Sequence, residues 1–115
     1  MTMMLPEEGY LLRIFIGESD KKDSIPLYEW IVRRAKQEGL AGATVLRGIE
    51  GYGGTSHIHT TRILQLSTDL PVIIELIDTL EKIDAFMPIL ETVLDGGLIT
   101  QEKAKIRLFR SKKKT

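Results

Sequence analysis

The stretch PVIIELIDTLEKIDAFMPILETVLDGG, residues 71–97, encodes a strand that leads directly into a helix. Its first part, Pro71 to Ile77, is rich in Val and Ile and predicts a strand. Asp78 and Glu81 are spaced as a variant of the capping box that begins a helix. Asp95-Gly96-Gly97 predicts where that helix stops.

Between these two signals, apolar side chains recur at helical spacing and predict one buried stripe. Pro88 lies within the stripe, where it removes a backbone hydrogen bond and is expected to kink the helix. The members of the stripe are Leu80, Ile83, Phe86, Met87, Leu90 and Leu94.

A strand and a helix also precede this stretch. Tyr10 to Gly17 carries apolar groups on both faces, which predicts a central strand. Asp23 or Ser24 is expected to cap the next helix, with Pro26 in its first turn and Gly39 just past its end. The apolar stripe of this helix consists of Leu27, Trp30, Ile31 and Ala35, with Trp30 expected in the core or at a subunit interface.

Two further strands complete the predicted fold. Ala43 to Gly51 predicts the second strand, and Ala104 to Arg110 the fourth. The order β-α-β-β-α-β is that of the ferredoxin-like plait, an α+β fold in which an antiparallel sheet carries two helices on one face. The length suits a single domain over residues 1–115, with a core at about residues 10–110 and a basic tail at 110–115.

The composition excludes several classes of function. Sixteen basic and sixteen acidic side chains balance, so the overall charge gives no support to nucleic-acid or membrane-surface binding. The chain has no Cys, which excludes disulfides and thiolate nucleophiles. No apolar run approaches the roughly 20 residues of a membrane span, and the N-terminus lacks a signal-peptide pattern. We therefore expect a cytoplasmic protein without direct membrane insertion.

A glycine-rich turn follows the second predicted strand, with four glycines between Gly48 and Gly54. Glycine permits positive φ and close approach to the backbone N–H, so this turn is a candidate cradle for an anion or a phosphate group. A turn that needs glycine for its geometry alone is the alternative. The polar segment from Tyr52 to Asp69 is long for a connection within a domain, and such segments are commonly functional.

Three features then occur in order: the turn Gly51-Tyr52-Gly53 before a long loop, the pair Gly96-Gly97 after the second helix, and basic residues on the last strand. On these features the chain resembles the PII-like signalling superfamily, and within it the uncharacterised small PII-like proteins, over about residues 10–110. The resemblance implies a non-enzymatic regulatory homotrimer that binds an adenine nucleotide, ATP or ADP, with or without Mg²⁺, in clefts between subunits. It also implies that the 52–69 loop contacts an unidentified partner protein.

The resemblance assigns roles to individual residues of this chain. Both glycine turns would offer backbone N–H groups to phosphate, and basic side chains would neutralise its charge. The residues concerned are Gly51, Tyr52, Gly53, Gly96 and Gly97 for the turns, and Lys103, Lys105 and Arg107 for the charge. Gly42 and Thr44 would contact the base or ribose from a neighbouring subunit. Glu75 stands where the family has a carboxylate. An equal interpretation is that Glu75 is the partner of a buried group.

The chain departs from the nitrogen-sensing members of that superfamily in three places. Their second turn reads Gly-Lys-Ile-Gly-Asp-Gly-Lys, whereas residues 97–103 read Gly-Leu-Ile-Thr-Gln-Glu-Lys. Gly54 replaces a basic residue after the first turn. The loop has no Tyr beyond Tyr52, so uridylylation of a loop tyrosine is not predicted.

His57 and His59 carry an alternative function. Residues two apart on an extended segment face the same side, so the two imidazoles are candidate ligands for Zn or Cu, with Glu50 or a neighbouring chain completing the site. This would give a divalent-metal-binding trimer resembling the divalent-cation tolerance proteins, which share the fold. Two exposed loop histidines are the simpler interpretation.

Catalysis and RNA binding, which other proteins of this fold perform, find no support in the residues. No Ser lies in a nucleophile-elbow context, and the chain has no Asn, on which acylphosphatases rely. RNA-recognition domains stack bases on strand aromatics, whereas the fourth strand here offers Phe109 alone.

Overall fold

The computed structural model describes residues 8–52, 59–60, 69–110 and 112. Within these residues, four long strands, two helices and two short hairpins follow each other. In chain order the elements are β1 (Glu8–Gly17), β2 (Lys21–Lys22), β3 (Ile25–Pro26), α1 (Leu27–Gln37), β4 (Gly42–Arg47), β5 (Glu50–Gly51), β6 (His59–Thr60), β7 (Pro71–Asp78), α2 (Leu80–Val93) and β8 (Leu98–Lys105).

The four long strands form one antiparallel sheet in the order β4-β7-β1-β8. Strand β1 pairs with β7 on one side and with β8 on the other, which confirms it as a central strand. The order of strands and helices is that of the ferredoxin-like plait, so the predicted α+β fold is confirmed.

One face of this sheet is covered by both helices. Alternate residues of β1 and β7 point into the core, as the period of two in a strand requires. They meet the buried faces of α1 and α2. The fully buried side chains include Leu12, Ile14, Ile74 and Leu76 from the sheet, and Ile31, Ile83, Phe86 and Leu90 from the helices. Within the described residues, neither helix is long and apolar enough to cross a membrane.

The beginning of α1 differs from the prediction. Asp23 and Ser24 do not cap the helix, because both have positive φ, 53° and 69°, and form the tight turn between β2 and β3. Two successive positive φ values are typical of the two-residue hairpin turn that matches the twist of its strands. Pro26 is the N-cap residue of α1 instead. At the other end, Gly39 has a φ of 81°, which confirms it as the residue that ends the helix.

The beginning of α2 lies one residue later than predicted. Thr79 is the N-cap, and its hydroxyl accepts a hydrogen bond from the amide of Lys82 at 3.3 Å. Asp78 is the last residue of β7 and is buried, so its carboxylate binds the amides of Thr79 at 2.6 Å and Ala41 at 2.8 Å. Leu80, predicted in the buried stripe, is 39% exposed because it stands in the first turn.

Two predicted strands have other bounds. The second strand ends at Arg47, and Glu50–Gly51 forms a separate hairpin with His59–Thr60. The prediction of a strand over 104–110 is wrong, because β8 occupies residues 98–105. Strand β8 begins directly after the Gly96-Gly97 turn, where its backbone pairs with β1 from Phe15 to Glu8. Residues 106–110 have no regular structure.

Candidate functional site

Four connections of the fold meet at one end of the sheet, which we call the loop end. There β1 finishes opposite the start of β7, with Gly17 paired to Pro71. Strand β4 finishes beside the same start, since Arg47 pairs with Val72. Strand β8 begins opposite Phe15. Both glycine-rich turns therefore lie at the loop end.

The two glycine turns stand at opposite edges of the sheet. The first turn follows β4, and the second precedes β8. These edge strands are separated by β7 and β1, and strands are spaced by about 4.8 Å, so the turns are about 14 Å apart within one chain. A single phosphate group cannot contact both turns of the same subunit.

Packing against Pro71 explains why two positions of the first turn are occupied by glycine. The amide of Gly48 donates to the carbonyl of Pro71 at 2.7 Å. A Cβ atom on Gly48 or Gly51 would lie 2.8 or 3.0 Å from Cγ of Pro71. Tyr52 is 70% exposed. Gly53 lies outside the described residues, so its predicted phosphate contact stays a prediction.

The glycines of the second turn have different environments. Gly97 has a φ of 123°, and an added Cβ would lie 2.6 Å from the carbonyl oxygen of Phe15, so the fold itself requires glycine there. A Cβ on Gly96 would meet no described atom within 4 Å. The backbone at Gly96 is therefore open to an approaching group, as a phosphate cradle requires.

The basic residues assigned to phosphate lie far from both turns of their own chain. Lys103 pairs with Tyr10 and Lys105 with Glu8, at the end of the sheet away from the loop end. At about 3.3 Å per residue, Lys103 is roughly 17 Å from the start of β8. Its ammonium lies 3.5 Å from the Glu8 carboxylate. Arg107 follows the end of β8 and is not on the strand, contrary to the prediction.

A set of side chains that the sequence analysis did not single out links both ends of the 52–69 segment. The guanidinium of Arg47 contacts the carboxylate of Glu18, and the amide of Glu18 donates to the carbonyl of Leu70 at 2.8 Å. The amide and hydroxyl of Ser19 donate to Oδ1 of Asp69 at 3.1 and 2.8 Å. We call Glu18, Ser19, Arg47 and Asp69 the loop-base clasp. In the sequence, the position of the basic Arg47 directly before Gly48 was the feature that could have pointed to this set.

The sheet face opposite the helices, which we call the open face, consists of cross-strand rows. Two rows are mainly apolar and flank one polar row. The apolar row at the loop end contains Leu46, Ile73, Phe15 and Leu98, the polar row Thr44, Glu75, Arg13 and Thr100, and the third row Gly42, Ile77, Leu11 and Glu102.

At the centre of the open face, Arg13 stands between two carboxylates. Its Nε donates to Glu75 at 3.0 Å, and its Nη1 contacts Glu102. Hydrogen bonds to Glu75 and to Glu102 raise the pKa of Arg13 above its ordinary value. Glu75 is thus a partner of Arg13, and Thr44 lies beside it on the edge strand. Gly42 packs against Ile77, whose Cγ2 would be 2.9 Å from an added Cβ.

The metal alternative remains a prediction. His59 lies in β6 opposite Gly51, and His57 is outside the described residues. Among the residues that the structure describes, no group of three or more His, Asp or Glu side chains is placed to hold a metal ion.

Comparisons with known proteins place the chain among relatives of similar length. The family model DUF190, described as Uncharacterized ACR, COG1993, matches residues 9–106. A UPF0166 protein of Aquifex aeolicus (strain VF5) is 43% identical over 96 residues, which cover 84% of this chain and 90% of that protein. A UPF0166 protein of Methanocaldococcus jannaschii is 41% identical over 90 residues, covering 77% and 82%.

A solved structure has the same fold at low sequence identity. It is that of CPII, a nitrogen regulatory PII-like protein from Thiomonas intermedia K12, bound to ADP, AMP and bicarbonate. The TM-score is 0.58 and the identity 16%, and the match covers 86% of this chain and 88% of CPII. The chain therefore belongs to the DUF190 family of UPF0166 proteins, and its fold is that of the PII-like proteins.

Proposed function

We propose that this protein is a non-enzymatic regulator that binds an adenine nucleotide, ATP or ADP, between subunits and thereby changes the conformation of its 52–69 loop. The observation that carries the proposal is the position of the two glycine turns, at the same end of the sheet but on opposite edges. A cleft between two subunits can bring the first turn of one copy to the second turn of another. CPII, which has the same fold, was solved with ADP and AMP bound.

The residues present fit such a ligand. The backbone at Gly96 is exposed, and the N–H groups of Gly96 and Gly97 would bind phosphate oxygens. Gly51, Tyr52 and Gly53 would do the same from the neighbouring subunit. Lys103, Lys105 and Arg107 would reach phosphate across a subunit boundary, since they are distant from the turns of their own chain. Mg²⁺, where it accompanies the nucleotide, would neutralise phosphate charge.

We further propose that the open face is the surface through which three copies assemble. The apolar row at the loop end would leave Leu46 and Leu98 exposed in a single chain, at 45% and 57%. Contiguous apolar surface of this kind marks interaction sites. Arg13 of the polar row, which lies between Glu75 of the same row and Glu102 of the third row, would set the relative position of the copies through these charges.

The nucleotide-dependent loop would contact a partner protein in the cytoplasm. A ligand that favours one of two loop conformations shifts their populations by its differential affinity. Such a regulator needs no bond-breaking step. The exposed Tyr52 lies within the first glycine turn, at the start of the 52–69 loop.

Thermal unfolding of the metal-stripped protein with ATP, ADP, AMP or cyclic AMP, each with and without Mg²⁺, tests the proposal. A ligand at 100 times its Kd adds about 2.7 kcal/mol to the free energy of unfolding. For a chain of this size the Tm should rise by roughly 10 °C. GTP, CTP and inorganic phosphate are the matched controls. Equal shifts with all nucleotides would refute adenine recognition, and no shift with any of them would refute nucleotide binding.

A further inference from the structure

Arg47 is the basic side chain that directly precedes the first glycine turn. Its side chain is 61% exposed, and its guanidinium contacts the carboxylate of Glu18, whose side chain is 21% exposed. Exposed ion pairs of this kind contribute little stability, because water solvates both charges well when they separate. The guanidinium is therefore free to exchange Glu18 for a stronger anionic partner.

We propose that Arg47 binds a phosphate group of the nucleotide in exchange for Glu18, and that this exchange opens the loop-base clasp. The inference rests on the proposed function, because the phosphate is that of the nucleotide. A planar guanidinium binds phosphate through two parallel charge-assisted hydrogen bonds. A nucleotide phosphate carries more charge than one carboxylate, so it competes well with Glu18 for Arg47.

The clasp transmits this exchange to the far end of the loop. When Arg47 leaves, the less exposed carboxylate of Glu18 loses its cation, while the carboxylates of Asp20 and Asp69 stay bound to the amides of the two flanking residues, Gly17 and Ser19. Carboxylates gathered in this way repel one another. Their separation strains the hydrogen bond from the Glu18 amide to Leu70, which fixes the return of the loop.

Closure of the clasp and binding of the nucleotide thus oppose each other, because both use the guanidinium of Arg47. Any interaction that closes the clasp lowers nucleotide affinity, and the nucleotide loosens the clasp by the same factor. The device links the phosphate site on β4 to residues 69–70 on the other side of the loop.

Calorimetric titration of ADP into wild type, Arg47→Met, Glu18→Gln and the double variant tests the inference. Arg47→Met should weaken ADP binding on the order of tenfold, since it removes charged hydrogen bonds. Glu18→Gln should strengthen it roughly two- to fivefold, since it removes the competing carboxylate. The double variant should behave as Arg47→Met does. Glu38→Gln is the matched control: it removes the partner of Arg34 from an ion pair of 2.9 Å in α1 and should leave ADP affinity unchanged.

Hydrogen exchange of the Glu18 and Ser19 amides gives an independent measurement. ADP should accelerate exchange at both amides in wild type and leave it unaltered in Arg47→Met at saturating ADP. Removal of Arg47 leaves Glu18 without its cation, so exchange in Arg47→Met should already be fast without ADP. If Arg47 had a merely structural role, ADP would not accelerate exchange in wild type and Glu18→Gln would not bind ADP more tightly.

The outcomes separate the inference from the proposed function. Absence of ADP binding to wild type would overturn both. Wild-type binding together with unchanged or weaker binding by Glu18→Gln would overturn the inference alone and leave the proposed function in place. If Arg47→Met does not fold, Arg47→Lys replaces it, because Lys keeps the charge but lacks the two-pronged geometry.

Discussion

Arg13 and Glu75 lie directly opposite each other on β1 and β7, with 3.0 Å between the arginine Nε and the glutamate Oε2. Because side chains alternate between the two faces of a sheet, a slip of one residue would carry one of these charges into the apolar core. The pair therefore fixes the register of the two central strands. That register brings Gly17 beside Pro71 and sets the geometry of the loop end.

Asp78 is expected to be essential for stability. Its side chain is 1% exposed and accepts hydrogen bonds from the amides of Ala41 and Thr79. Asp78→Ala leaves both amides without this acceptor and should lower the free energy of unfolding by about 2–4 kcal/mol, measured by urea denaturation. Asp84→Ala, at an exposed position of α2, is the control and should cost less than about 0.5 kcal/mol. Equal losses in the two variants would contradict the bridging role.

The two glycines of the second turn should separate stability from binding. Gly97→Ala forces a Cβ to within 2.6 Å of the Phe15 carbonyl at positive φ and should lower the free energy of unfolding by about 1–3 kcal/mol. Gly96→Ala meets open space, so it should leave stability nearly unchanged but weaken ADP binding several-fold if this backbone approaches phosphate. Unfolding curves and ADP titration measure the two effects. Full ADP affinity in Gly96→Ala would remove that turn from the site.

The open face should control assembly. Wild type should sediment at three times the 13.0 kDa chain mass. Leu46→Asp places a charge within the apolar row at the loop end and should shift the protein toward single chains without unfolding them, since Leu46 is 45% exposed in one chain. Leu108→Asp changes a 69% exposed residue beyond β8 and should leave the trimer intact. A trimer that survives Leu46→Asp would show that another surface assembles it.

His57 and His59 should be dispensable for nucleotide binding. The double replacement by Ala should retain the rise in Tm that ADP causes in wild type. When both proteins are stripped of metal, Zn²⁺ should change the Tm of the variant and of wild type by the same amount. If Zn²⁺ stabilises wild type and the replacement abolishes this effect, the metal-binding alternative is favoured over the regulator.

The sequence predicted the core of the fold because hydrophobic periodicity and glycine stops act locally. Central β1, the strand beginning at Pro71 and the end of α1 at Gly39 all followed from such local patterns. The fourth strand was predicted at the wrong residues because apolar and polar side chains alternate over residues 104–110. In the structure, residues 98–105 form the strand because their backbone pairs with β1. A tertiary partner outweighed a local pattern there.

Parts of the candidate site depended on contacts that no spacing encodes. Packing against Pro71, which lies on another strand, explains why positions 48 and 51 are glycine. The ion pair of Glu18 with Arg47 joins residues 29 positions apart. Asp78 was assigned to a local cap, but burial turned it toward Ala41. The family resemblance assigned Gly96 and Gly97 to the site, and the structure shows that only Gly97 is required by backbone packing.

The two outer strands of the sheet differ in how well they resist uncontrolled association. Strand β8 carries Glu102, Lys103 and Lys105, charges that discourage another chain from adding to its edge. Strand β4 instead exposes Val45 and Leu46 in a short run with high strand propensity. A subunit released from the proposed trimer would thus have one charged edge strand and one apolar edge strand, so mutations on the open face that dissociate the trimer should promote aggregation through β4.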